Sequence, residues 1–179
     1  MNAQFKQRRI FFALWPDDET RLNISHAFNL TRFSLELGRN INPQNLHLTL
    51  HFLGNVSQEK FECVSEVAEQ VKFEAFKLCL NQYDVFTKAK IFWIGATDLP
   101  VELLGLHADL GLKLQACGYI PEKRAFTPHV SLKRKVKRFE VEEDMPELTW
   151  FVDRFALVES LQTNNGVVYK PLKFYCSAR

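Results

Sequence analysis

Asn45-Leu46-His47-Leu48-Thr49-Leu50-His51-Phe52-Leu53-Gly54 alternates between apolar and polar side chains. Leu46, Leu48, Leu50 and Phe52 form one row, and His47, Thr49 and His51 form the other. A period of two is the signature of a half-buried strand. The polar row is unusual, because it carries imidazole, hydroxyl and imidazole at steps of roughly 7 Å. The pattern returns at Pro128-His129-Val130-Ser131-Leu132-Lys133-Arg134. There His129 and Ser131 share a face opposite Val130 and Leu132, at an offset of 82 from the first pair (129 − 47 and 131 − 49).

The segments around these two stretches also correspond. Arg9 to Trp15 is a nearly continuous apolar run, predicted to be a central strand closed by Pro16 and Asp17. Asp17 or Asp18 caps a helix with apolar positions Leu22, Ala27, Phe28 and Leu30, which Gly38 is expected to end. Asn40 to Asn45 reads as a turn into the first motif strand. Ser57 caps an amphipathic helix marked by Phe61, Val64, Val67, Ala68 and Val71. Strands are expected at Phe76–Phe86 and Ile91–Thr97 with a turn at Lys88–Lys90. A helix follows from Pro100 to Gly118, then a loop from Tyr119 to Thr127. Leu148–Leu161 and Val167–Tyr175 read as strands joined at Thr163-Asn164-Asn165-Gly166, where Asn-Gly is a hairpin signal.

Strand, helix and motif strand therefore occur twice. Ile10-Phe11-Phe12 before His26 aligns with Ile91-Phe92-Trp93 before His107 at an offset of 81. The expected architecture is α+β: one bilobal domain over residues 1–179, with motif strands near 46–53 and 128–134. Each lobe has an antiparallel sheet with flanking helices and presents one histidine and one hydroxyl to a cleft between the sheets.

A chain of 179 residues with 46% hydrophobic and 25% charged side chains is ample for one core. A net charge of +2 excludes a global field that commits the protein to a polyanion. The charge is patterned, with a basic cluster at Lys133, Arg134, Lys135, Lys137 and Arg138 and an acidic stretch from Glu140 to Glu147. The basic run reads first as a solvated strand end, with contact to a phosphate backbone as the alternative. Cys63, Cys79, Cys117 and Cys176 show no paired spacing, so they are expected to be free thiols in a reducing compartment rather than metal ligands or a disulfide framework. The apolar run before Trp15 is too short to span a bilayer, so no membrane association is expected and the predicted location is cytoplasmic.

Two facing imidazoles suit concerted acid/base work near neutral pH. One takes a proton from water while the other gives one to a leaving oxygen, each role typically worth about 10²- to 10⁴-fold. Thr49 and Ser131 can donate to the non-bridging oxygens of a phosphoryl group between them. Such a site needs no metal and no cofactor, and a strained cyclic phosphodiester fits it well. His51 stands about 13 Å from His47 on an unbroken strand, too far to share a zinc, and is expected at the cleft rim. His26 and His107 read as helix-surface or packing residues, and Tyr119, Phe126 and Trp150 as packing.

His47-Leu48-Thr49-Leu50 and His129-Val130-Ser131-Leu132 resemble the paired H-x-T/S-x signatures of the 2H phosphoesterase superfamily. Arg9 to Leu14, Asn45 to Gly54, Phe126 to Arg134 and Tyr169-Lys170-Pro171-Leu172 further resemble the RNA 2′,3′-cyclic phosphodiesterases, or 2′-5′ RNA ligases (LigT-like). The resemblance implies a bilobal LigT-like fold and metal-independent hydrolysis of RNA 2′,3′-cyclic phosphate ends to 2′-phosphomonoesters, with 2′-5′ ligation as a further capacity. It makes His47 the proton donor to the departing 3′ oxygen and His129 the proton acceptor from water. It gives Thr49, Ser131 and Arg134 to the phosphate and Phe11 to stacking of a terminal base. On an unbroken strand Arg134 falls opposite His129, so it serves the site only if the strand ends or bulges after Leu132. The implied partners are RNAs with cyclic phosphate ends, such as tRNA fragments or other cleaved RNA, or small cyclic nucleotides, met by a monomer. Rival readings are a cyclic-nucleotide phosphodiesterase, a 3′-end exonuclease of the same superfamily, or an idle RNA-end-binding protein.

Overall fold

The computed structural model describes residues 7–30, 33–36, 38–141, 147–164 and 166–178. The chain begins with strand β1 (Arg8–Leu14), helix α1 (Asp18–Leu30), and short strands β2 (Phe33–Glu36) and β3 (Arg39–Asn40). A 3₁₀ turn at Pro43–Asn45 then leads into β4 (Leu48–Val56) and α2 (Gln58–Glu69). Strands β5 (Phe76–Leu80), β6 (Gln82–Phe86) and β7 (Ile91–Gly95) precede α3 (Val101–Gln115). After a long loop come β8 (His129–Arg134), β9 (Arg138–Val141), β10 (Leu148–Val152), β11 (Arg154–Thr163) and β12 (Gly166–Cys176).

The main sheet runs β12-β11-β1-β4-β8-β7-β6, with β3 paired to β8, and every pairing is antiparallel. β10 pairs with β5, and β2 with β9. The main sheet is two half-sheets joined at one residue pair, Leu48 with Val130, both fully buried. On one side β4 follows β1, β11 and β12; on the other β8 follows β7 and β6. The cleft opens where β4 and β8 part on either side of that pair.

Each half carries the same irregularity. Between β1 and β4, Phe12 opposes His51 and Ala13 opposes Thr49, so Leu50 is an extra residue. Between β7 and β8, Phe92 opposes Lys133 and Trp93 opposes Ser131, so Leu132 is extra. These are β-bulges, which locally change which side chains share a face. They match at an offset of 82 on the motif strands (132 − 50) and of 80 on the flanking strands (92 − 12). The sequence alignment of β1 with β7 at 81 is thus one residue out of register, because the apolar triplets match in type but not in ladder position.

One face of the main sheet packs on the helices. Ile10, Phe12 and Leu14 of β1, Leu48 and Leu50 of β4, Phe92 and Ile94 of β7, and Val130 and Leu132 share one core. Ile24 of α1, Val64 and Ala68 of α2, and Leu103, Leu106, Leu110 and Leu114 of α3 close it. The α3 leucines recur at steps of three and four, the stripe an amphipathic helix buries, each contributing about 1.5–3 kcal/mol. On the other face a small apolar group, Phe11, Ala13, Ala156 and Val158 with Trp15 and Tyr169, lies under the site. β1 is covered on both sides, which is why its sequence is apolar without alternation.

Several local expectations are corrected. α1 stops at Leu30 and β2 intervenes, so Gly38 does not end the helix; Leu22 and Leu30 are exposed while Ile24 and Ala27 are buried. Phe76–Phe86 is two strands broken at Asn81, and Leu148–Leu161 is broken at Asp153. The Ser57 cap is observed, its hydroxyl accepting from the Lys60 amide at 3.2 Å. Asn165 and Glu142–Asp144 lie outside the described residues, although Thr163 pairs with Gly166 across the hairpin.

The cysteine expectation is overturned for one pair. Cys63 of α2 and Cys117 just beyond α3 form a disulfide, Cα atoms 5.8 Å apart, while Cys79 and Cys176 are free. The helices lie side by side on the sheet, bringing together residues 54 positions apart that carry no common motif. Among the described residues no helix is long and apolar enough to cross a membrane.

Candidate active site

The joining pair positions the four motif residues. Antiparallel pairing of Leu48 with Val130 brings His47 and Thr49, which flank it on one segment, toward His129 and Ser131, which flank it on the other. Thr49 and Ser131 are further fixed by their ladder partners Ala13 and Trp93. One histidine and one hydroxyl thus come from each half of the sheet, next to the joining pair.

Both imidazoles are oriented by one local device. His47 Nδ1 donates to the carbonyl of Asn45 at 2.6 Å, and His129 Nδ1 donates to the carbonyl of Thr127 at 2.8 Å. In each case the acceptor is two residues upstream, so Nδ1 keeps its proton and Nε2 is left for chemistry. Asn45 is itself pinned, donating to the Val167 carbonyl at 2.8 Å and accepting from the Tyr169 amide at 3.0 Å.

Burial is the main influence on both titrations. His47 is lowered to about 4, first by burial and then by the charges of His129 and Arg134, with the Asn45 hydrogen bond opposing. His129 is lowered chiefly by burial and also by Arg124, against its Thr127 hydrogen bond. Both rings are thus neutral near pH 7. A phosphodiester anion reverses the sign of this environment and raises both.

The bulge at Leu132 meets the condition set for Arg134. Ser131 opposes Trp93 and Arg134 opposes Ile91, so Arg134 returns to the face of Ser131. Its Nη2 donates to the Tyr169 hydroxyl at 3.3 Å. Tyr169 also stands edge-on to His47 with centroids 5.0 Å apart, a neighbour that the sequence offered only as part of the Tyr169–Leu172 stretch. Phe11 packs against His47 at 4.9 Å and Tyr169 at 5.1 Å and is only 3% exposed, so the surface it offers a ligand is small. Trp15 stacks on His47 at 6.0 Å; Phe86 and Trp93 wall His129 at 4.7 and 5.9 Å. These walls come from strands remote in sequence, which alternation along one strand cannot reveal.

The same kind of bulge corrects His51. It opposes Phe12 rather than continuing the row of His47, and it is 5% exposed, not at the rim. His51 Nε2 is 2.8 Å from the His107 carbonyl and Nδ1 is 3.2 Å from the Tyr119 hydroxyl. Its ring stacks on His107 at 4.2 Å, and His107 stacks on Phe126 at 3.8 Å. His26 is an exposed helix residue, and Trp150 and Tyr119 are buried packing residues as expected. Among the described residues no group of three or more His, Cys, Asp or Glu is placed to hold a metal ion.

Two of the four motif residues, Thr49 and His129, are part of the wall of a cavity of about 880 Å³. The arrangement as a whole is a two-imidazole, two-hydroxyl cleft with a guanidinium at one side. A family model described as the 2′-5′ RNA ligase superfamily matches residues 22–164. The chain belongs to this superfamily. An RNA 2′,3′-cyclic phosphodiesterase of Escherichia coli (strain K12) is 33% identical over 93% of this chain and 94% of its own length. Another from Thermotoga maritima is 30% identical over 74% of this chain and 75% of its own length. The crystal structure of E. coli LigT complexed with 3′-AMP superposes with a TM-score of 0.85 at 29% identity, covering 97% of this chain and all of that one. The superfamily's α+β fold with antiparallel sheets is the one described above.

Proposed function

We propose that this protein hydrolyses RNA 2′,3′-cyclic phosphate ends to 2′-phosphomonoesters without a metal ion. The observation that carries the reading is the joining pair Leu48–Val130 flanked by two imidazoles, each with Nδ1 on the carbonyl two residues upstream; it supports a shared site for both histidines. The relatives named as RNA 2′,3′-cyclic phosphodiesterases support the substrate class.

In this mechanism the cyclic phosphodiester lies between the two rings. Its charge raises both imidazoles, so one of them holds a proton at neutral pH. His129, with Nε2 neutral, takes a proton from water as the water oxygen attacks phosphorus. His47 gives the proton on its Nε2 to O3′ as the P–O3′ bond breaks, leaving the phosphate on O2′. Thr49, Ser131 and Arg134 hold the non-bridging oxygens as their charge grows. Phe11 and Tyr169 wall the side of His47 against which the terminal nucleoside rests. A monomer is sufficient, since every group comes from one chain. A cytoplasmic location suits RNA ends as substrates, and there cellular thiols have access to Cys63–Cys117.

The test is hydrolysis of an oligoribonucleotide with a 2′,3′-cyclic phosphate end in EDTA. Activity is expected to persist in EDTA and to fall at least about 10²-fold in His47→Ala and in His129→Ala. Undiminished turnover in either variant overturns the proposal.

A further inference from the structure

The two carbonyls that orient the active-site imidazoles are held in different ways. Asn45, whose carbonyl takes the proton of His47 Nδ1, is tied to β12 by both ends of its side-chain amide. Its counterpart at the offset of 82 (127 − 45) is Thr127, whose side chain makes no hydrogen bond among the described residues. Residues 119–128 belong to no helix or strand, and the β7–β8 ladder reaches only to His129. Pro128 biases Thr127 toward extended backbone but does not fix where its carbonyl stands. Another contact has to hold the end of this loop.

That contact is a stack of three rings. His51 is fixed at both nitrogens: Nε2 donates to the His107 carbonyl at 2.8 Å, and Nδ1 accepts from the Tyr119 hydroxyl at 3.2 Å. The His107 ring lies on His51 with centroids 4.2 Å apart and planes 21° from parallel. It also hydrogen-bonds to the backbone of Leu50, the bulge residue beside Thr49. Phe126 stacks on His107 in turn, at 3.8 Å and 14°. Burial holds both imidazoles below their usual values, so they are uncharged at neutral pH and stack without repulsion. The residue after Phe126 is Thr127, whose carbonyl accepts from His129 Nδ1 at 2.8 Å. We propose that His107 is a positioning residue for His129: through Phe126 it holds the Thr127 carbonyl in place, and so keeps His129 in the tautomer that leaves Nε2 free. This rests on the reading of His129 as the proton acceptor. An imidazole in the wrong tautomer or displaced from the reacting atoms loses rate rather than affinity.

His107 and Phe126 also line the cavity of about 880 Å³, so a direct contact with substrate is the rival explanation. The test measures kcat and KM with adenosine 2′,3′-cyclic phosphate, and the ¹⁵N spectrum of the His129 ring, in the native protein and its variants. His107→Ala is expected to lower kcat on the order of ten-fold with KM within about two-fold of native. His107→Phe keeps a flat ring on Phe126 and is expected to return kcat to within about three-fold of native. Phe126→Ala breaks the same stack from the loop side and is expected to reproduce the His107→Ala loss. The double variant is expected to be no slower than about two-fold below either single one, because both remove one coupled contact. The spectrum is expected to show His129 protonated at Nδ1 in the native protein and in His107→Phe, and a mixture of tautomers in His107→Ala. A raised KM with unchanged kcat, a His107→Phe as slow as His107→Ala, losses that multiply in the double variant, or an unchanged His129 tautomer in His107→Ala each overturn the positioning role. Absence of hydrolysis in the native protein contradicts the proposed function instead, and the spectra then decide the positioning by themselves.

Discussion

The proposed chemistry rests on two Nε2 atoms whose protonation is governed chiefly by burial. His47 is lowered to about 4 and His129 is also held below its usual value, each by the cost of charging a ring removed from water. A concerted mechanism needs one ring charged and the other neutral. In the free enzyme that combination is most populated between the two depressed values. The profile of kcat/KM reports the free enzyme, so its optimum is expected on the acid side of pH 6.5. The profile of kcat reports the complex, where the phosphodiester anion favours imidazolium, so its optimum is expected at higher pH than that of kcat/KM. Rate profiles with a cyclic mononucleotide from pH 4 to 9 check both; a kcat/KM optimum above pH 8 contradicts this account of the electrostatics.

At the scale of elements, the two bulges decide which side chains reach the cleft. Leu132 returns Arg134 to the active face, and Leu50 removes His51 from it. Under α3, His51 is clamped between His107, Tyr119 and the helix backbone at Gly111. A Cβ at Gly111 would stand 2.8 Å from the His51 ring, so only glycine lets the helix approach this closely. His107 is lowered to about 4, first by burial and then by His51, and His51 is lowered chiefly by burial despite Glu122 nearby. A histidine whose folded value lies below its unfolded one binds fewer protons in the native state. Its contribution is complete above about pH 6.5 and is lost as pH falls toward 4. The melting temperature is therefore expected to drop from pH 7 to pH 5. His107→Phe, which keeps the stack on Phe126, is expected to recover part of that drop, on the order of 1–2 kcal/mol. Thermal unfolding of both proteins at the two pH values checks this; identical slopes contradict a titrating pair under α3.

At the scale of the molecule, the disulfide ties α2 to α3 over a separation of 54 residues. Loop-closure entropy for such a span sets an upper figure of about 4 kcal/mol. Treatment with dithiothreitol is expected to lower the melting temperature, and Cys63→Ser to melt like the reduced protein. A melting temperature indifferent to reduction contradicts a stabilising cross-link.

What the sequence disclosed, and what it hid, follows from distance along the chain. His47, Thr49, His129 and Ser131 were legible because a period of two and a repeated spacing are local patterns. The strands and helices were legible where caps or turns marked them, as at Ser57 and Lys88–Lys90. The bulges were not, since neither Leu50 nor Leu132 differs in type from an ordinary core residue. His51 was misplaced for that reason, and β1 was aligned to β7 one residue out of ladder register. Tyr169 and Trp15 around His47, and Cys63 with Cys117, come together only through sheet order and helix packing, which no local pattern encodes.

The central claim is a chemical direction: water enters on the side of His129 and O3′ leaves on the side of His47. The most direct measurement is product mapping of an oligoribonucleotide 2′,3′-cyclic phosphate hydrolysed in EDTA, resolving 2′- from 3′-phosphomonoester ends by ³¹P NMR. A 2′-phosphomonoester as the single product, lost in both His47→Ala and His129→Ala, is the expected result. A 3′-phosphomonoester, or no product without added metal, contradicts it.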